Sequence, residues 1–159
     1  MPSDPLQTYL NDHLAGATAG VNLAGKIAEE NRGTQLGEVM TGLAAEIEAD
    51  RRTLRDLVGR LGFDRSRAKE AAGWIAEKVT RLKFAEPMTG SRQLKLLLEL
   101  ETLSLGIEGK LSLWRILRNR AEPKLADLDL DELIRRGEEQ RAMVERHRVE
   151  AGSLAFARS

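Results

Sequence analysis

The sequence predicts an all-α fold, an antiparallel four-helix bundle with a long crossover that carries a short extra helix between helices 2 and 3. Three observations predict it. Apolar residues recur at three- and four-residue steps over four long segments, and no segment alternates with the period of two that a strand needs. Only 4% of the 159 residues are aromatic and only four are proline, a composition that suits long helices. Breakers fall at a few separated places, "NRGT" at 31–34, "AEPMTGS" at 85–91 and "AEPKLADLD" at 121–129, and leave long uninterrupted runs between them.

The first helix is expected from about Pro5 to Asn31. Ser3 and Asp4 are N-cap residues by type, and Pro5 suits a first turn. Its stripe is Leu6, Leu10, His13, Ala17, Val21, Ala24 and Ala28. Gly33 can end it, and Thr34 can cap the second helix, expected from about Gln35 to Leu61. There the stripe is Leu36, Met40, Leu43, Ile47, Asp50, Leu54, Leu57 and Leu61, with Asp50 the one charge on an apolar face and Glu46 at its border. Gly62 ends that helix. Asp64 or Ser66 starts the short crossover helix, with Trp74, Ile75, Val79 and Leu82 on its apolar side.

The third helix, about Ser91 to Arg120, is apolar on most sides and is expected to be the most buried. The fourth begins near Asp127 or Asp129 and ends around Phe156. Its stripe is Leu130, Ile134, Gly137, Arg141, Val144, Arg148 and Ala151, which puts two arginines on an inward face. Short loops between helices 1 and 2 and between helices 3 and 4 make antiparallel neighbours. The longer connection between helices 2 and 3 can cross the bundle from end to end.

Composition narrows the function classes. Twenty-five basic and 25 acidic residues cancel, so no net field draws the chain to nucleic acid or anionic lipid. Cysteine is absent, which removes disulfides, thiolate nucleophiles and cysteine-based zinc sites. The N-terminal "MPSDPLQTYLNDH" has no basic stretch followed by an apolar one, so it does not read as a signal peptide. No apolar run reaches the ~18 residues of a membrane span. A cytoplasmic protein is the expectation. No phosphate-binding glycine loop, Ser-His-Asp arrangement or zinc-helix motif occurs. The arginines between Arg51 and Arg67 read as a solvated helix face with partners one turn away, not as a phosphate site.

Three stretches taken in order, "YLNDHLAG" (9–16), "LRDLVGRLG" (54–62) and "ELETLSLGIEGKL" (99–111), give the chain a resemblance to the ferritin-like superfamily. Within it, the chain is similar to a small bacterial branch of stress-associated proteins. The resemblance covers nearly the whole chain, and in the last stretch Glu101 stands five residues before Gly106. It implies an ancestral di-metal site: a Glu on helix 1, Glu-x-x-His on helix 2, a Glu on helix 3 and Glu-x-x-His on helix 4. This sequence departs from that pattern. Ala17 stands where helix 1 would give Glu. Helix 2 offers Glu46 and Asp50 but no histidine. Glu101 matches. Glu138 or Glu139 is followed three residues later by Arg141 or Ala142. The only histidines, His13 and His147, lie in no Glu-x-x-His spacing.

The site therefore reads as eroded, with Glu46, Asp50, Glu101, Glu138 and His13 as what remains of a metal set. A carboxylate in a dry core needs a metal, a proton or a cation. The expectation is that Arg141 replaces the metal, pairing with Glu101 and with Glu46 or Asp50, since a guanidinium can bridge two carboxylates. Glu99 and Glu108 are expected at the wet edges of the bundle. Gly16, Gly20 and Ala24 give helix 1 a small face for close approach, able to receive Trp74, Trp114 or a second subunit.

The function expected is that of a non-enzymatic, self-associating helical protein, a homo-dimer or larger homo-oligomer, with no cofactor and no nucleic-acid or membrane partner. The rival is a metal protein that uses the reduced carboxylate set to oxidise or store iron or manganese, or to protect against peroxide. A third reading is a carrier of a small apolar molecule in a hollow between helices.

Overall fold

A computed structural model of the chain describes residues 4–66, 77, 91–120 and 122–158. Among these residues it holds four long helices, α1 (Pro5–Glu30), α2 (Gln35–Arg60), α3 (Arg92–Arg118) and α4 (Leu130–Ala155), and a 3-10 turn at Pro123–Leu125. There is no strand among the described residues. The expected crossover helix with Trp74, Ile75, Val79 and Leu82, and the loop at 85–90, lie outside the described residues.

Each helix starts where side-chain chemistry favours it. The Asp4 carboxylate accepts from the Leu6 amide at 2.8 Å, with Pro5 in the first turn. Thr34 Oγ1 accepts from Gly37 N, Ser91 Oγ from Leu94 N, and Asp129 Oδ1 from Glu132 N. The end of α2 is a Schellman closure. Phe63 N donates to Val58 O and Gly62 N to Gly59 O, with Gly62 at φ +75°, the left-handed region that glycine enters at no steric cost.

Cross-helix contacts fix the directions. Lys26 reaches Glu99, and Lys95 and Arg92 reach Glu30, so the end of α1 meets the start of α3. Arg118 reaches Asp131 and Arg148 reaches Glu101, so α3 and α4 are antiparallel. Gly37 packs under Asn31 where α1 turns into α2, and Asn11 near the start of α1 donates to the Asp64 carbonyl just beyond α2. Hence α2 and α3 run parallel, and the chain between Arg60 and Arg92 joins opposite ends of the bundle. The helices pair as α1 with α2 and α3 with α4. The two pairs then meet along α1 and α3 and, more briefly, along α2 and α4.

One core fills the middle. Leu10, Leu23 and Ile27 of α1 face Met40, Leu43, Ile47 and Leu57 of α2, and these meet Leu100, Leu103, Leu111 and Trp114 of α3 and Ile134 and Val144 of α4. The buried face of α1 is rotated from the expected stripe. Leu14, Ala15 and Leu23 are buried, while His13, Ala17 and Val21 are half-buried. Small residues on α1 turn toward α3 instead and leave space there.

Candidate functional site

A buried charge cluster crosses the bundle centre. Asp50 is 2% exposed on the Leu43, Ile47, Leu54 face of α2. From α3 comes Lys110, on the stripe Leu103, Ile107, Lys110, Trp114. From α4 come Arg136 and Gln140, on the stripe Leu133, Arg136, Gln140, Val144. Lys110 Nζ donates to Asp50 Oδ2 at 2.7 Å and also to Gln140 Oε1. Arg136 Nη2 donates to Asp50 Oδ1. Gln140, itself 2% exposed, passes the network outward by donating from Nε2 to Glu46 Oε2 at 2.8 Å. Burial pushes the Lys110 ammonium below its ordinary value, the Asp50 carboxylate pulls it back up, and Arg136 pushes it down again. Two cations thus share one buried anion.

A second acid lies near the end of α1. Glu99 is 2% exposed, with Lys26 at 3.4 Å and Lys95 at 3.7 Å. Its Oε2 has no hydrogen-bond partner. Burial, aided by Glu30, holds the Glu99 carboxyl above the usual carboxylate range despite both lysines. This corrects the expectation that Glu99 reaches water. Glu108 does lie at the edge, half exposed, between Arg115 and Arg141.

The structure scatters the remaining expected ligands. Glu46 is exposed, accepts from Gln140 and helps hold the Lys110 ammonium charged from a distance. Glu101 pairs at the surface with Arg148 at 3.3 Å, and Glu138 with Arg115 at 3.4 Å. His13 is half-buried, its ring edge-on to Tyr9 with centroids 4.6 Å apart, and burial lowers its pKa against the pull of Asp12. The pairing expected of Arg141 is corrected too. It binds Glu108 on the exposed side, not Glu101, Glu46 or Asp50.

The reason is a tie in helical spacing. From Gly137 to Val144 both Gln140 and Arg141 satisfy three- and four-residue steps, and the packing takes Gln140. Lys110, Arg136 and Gln140 were not expected at all. Lys110 had a signal, because it is the one cation in the apolar run 96–114 and stands three residues after Ile107 and four before Trp114.

Among the described residues no three His, Asp or Glu side chains form a group able to hold a metal ion. The donor chemistry at Asp50 points the same way, since both its oxygens already accept from cations and a divalent ion there would face two like charges. The di-metal set that the resemblance implies does not fit these residues.

Between α1 and α3 lies a cavity of about 330 Å³. Small residues form part of its wall, Gly16, Ala17, Ala19 and Gly20 from α1 and Gly106 and Gly109 from α3. His13, Asp50, Lys110 and Trp114 line it as well. Trp114 is 1% exposed and its indole Nε1 has no hydrogen-bond partner.

No family model, no curated protein and no solved structure matches this chain.

Proposed function

We propose that the protein is a non-enzymatic, self-associating bundle of ferritin-like architecture, working in the cytoplasm, in which protein cations hold the buried acid that a metal would otherwise hold. The observation that carries this reading is Asp50, buried and gripped by Lys110 and Arg136 from two other helices. An ammonium and a guanidinium bring fixed positive charge and need no ion from solution. The parallel course of α2 and α3 is what a bundle with one long crossover requires. Among the described residues no helix is long and apolar enough to cross a membrane. Leu105 and Ile116 are exposed on α3, eleven residues apart, which is about three helical turns and therefore one face. These two side chains, with Gly109 and Ser112 between them, are where we place the contact with a second copy of the chain.

The test is elemental analysis of the purified protein for iron, manganese and zinc, repeated after ferrous iron is added in air and the excess removed. Well below one ion per chain is expected both times. Stoichiometric retention that disappears in Asp50→Ala or Glu101→Ala would replace this reading with that of an iron- or manganese-binding protein.

A further inference from the structure

We propose that the cavity between α1 and α3 is a binding site for a small organic acid with an apolar body, its carboxylate received by Lys110 and the Trp114 indole N–H. The hydrogen-bond donors on the cavity wall point to an anionic head group. Among the described residues Asp50 is the only carboxylate hydrogen-bonded to Lys110 or Arg136, while Glu46 and Glu132 act on these two cations through space. Lys110 is only 11% exposed and lines the cavity, so a carboxylate that reaches its ammonium meets a poorly screened cation.

Donors are available to meet it. Two of the three Lys110 N–H groups are used, by Asp50 and Gln140, and Lys110 lines the cavity. Trp114 lines it too, with a buried indole N–H that has no acceptor, and a polar group of that kind ordinarily finds a partner. The rest of the lining is largely apolar apart from His13, Thr102 and two carboxylates, Asp50, already bound by Lys110 and Arg136, and the exposed Asp12. Glycines bring the two backbones around the space without filling it; a Cβ built on Gly16, Gly106 or Gly109 meets nothing within 4 Å. A volume of about 330 Å³ equals roughly eleven waters at ~30 Å³ each, which fits an acid of about ten non-hydrogen atoms. This site gives the carrier reading a location and stands apart from the metal question, since one is read by ligand titration and the other by metal content.

Isothermal titration calorimetry on the full chain tests it, with sodium octanoate and phenylacetate as probes and 1-octanol and 2-phenylethanol as neutral counterparts of the same body. One acid should bind per chain, and each alcohol should bind at least about tenfold more weakly than its acid. Lys110→Met should abolish the preference for acid over alcohol. Gly20→Leu should block both, because the Cβ at position 20 points at Ile47, 3.6 Å away on the cavity wall. If Gly20→Leu fails to fold, Lys110→Met decides alone. Four results would overturn the site: no acid bound at up to about 10 mM, acids and alcohols bound equally by the parent, a folded Gly20→Leu that binds as the parent does, or a folded Lys110→Met that keeps the parent's preference for acid over alcohol.

Discussion

Asp50 shows at the residue scale how burial sets the worth of a charge. Its removal would leave Lys110 and Arg136 facing each other with no anion between them. Asp50→Ala is therefore expected to cost about 3–5 kcal/mol in chemical denaturation. Arg141→Ala should cost less than about 1 kcal/mol, because Arg141 and Glu108 are both roughly half exposed and water screens the pair. A large loss at Arg141 with a small one at Asp50 would reverse this ranking of the two arginine-bound acids. Glu99 behaves differently from either. Its carboxyl pKa is raised in the fold, above the ordinary 4.5, chiefly by burial. The folded chain thus holds the Glu99 proton more tightly than the unfolded chain does. The associated stability is fully present below pH 4.5 and is lost as pH rises through the raised value. Glu99→Gln, uncharged throughout, should be at least as stable as the parent at pH 7, and its advantage should vanish below pH 4.5. Denaturant midpoints of both proteins at pH 7 and pH 4 would show it, and a variant weaker at pH 7 would refute it.

Glycine positions separate packing from propensity at the scale of elements. At Gly37, where the end of α1 crosses the start of α2, an added Cβ would stand 2.2 Å from the Asn31 carbonyl oxygen. That neighbour is backbone and cannot swing aside, so Gly37→Ala should destabilise by about 1–3 kcal/mol. Gly25 lies inside α1 with nothing within 4 Å of the same probe atom. Gly25→Ala should instead stabilise, by up to about 1 kcal/mol, because alanine loses less backbone entropy on entering a helix. Thermal melts of the two variants should therefore move in opposite directions. Gly62→Ala belongs with Gly37 in sign but not in cause. The φ of +75° is the obstacle there, at a cost of about 1–2 kcal/mol.

Most of these elements were legible before any coordinates. Asp4, Thr34 and Asp129 start helices because their side-chain oxygens can satisfy free amides. Gly33 and Gly62, both at positive φ, mark ends because other residues resist that conformation. Helix rotation was less legible. Residues 140 and 141 differ by about 100° around the axis, yet both fit a three–four repeat. Only contact with Lys110 and Glu46 shows which one faces inward.

Two helical hairpins share one core at the scale of the whole molecule, and the described surface leaves Leu105 75% and Ile116 52% exposed. Light scattering coupled to size-exclusion chromatography should give a mass of at least two chains for the parent. Leu105→Lys with Ile116→Lys should give the mass of one. Neither side chain supports the core, so the double variant should stay within about 1 kcal/mol of parental stability, as surface changes usually do. A parent of single-chain mass would remove self-association from the functional reading.

The chain by itself determined the number of long helices, where they start and stop, and that Asp50 sits on an apolar face. Those features depend on local chemistry: capping oxygens, left-handed glycines and the 3.6-residue repeat. Which cations meet Asp50, that Glu99 is buried, and that a partly glycine-walled cavity opens beside Trp114 were decided by tertiary structure alone. They depend on how each helix is turned about its axis and how closely two backbones approach, and both are set jointly by residues far apart in sequence. Lys110 is the plainest case. Alone on its helix it is one cation in an apolar run, and it acquires a role only when α2 and α4 bring Asp50 and Gln140 to it.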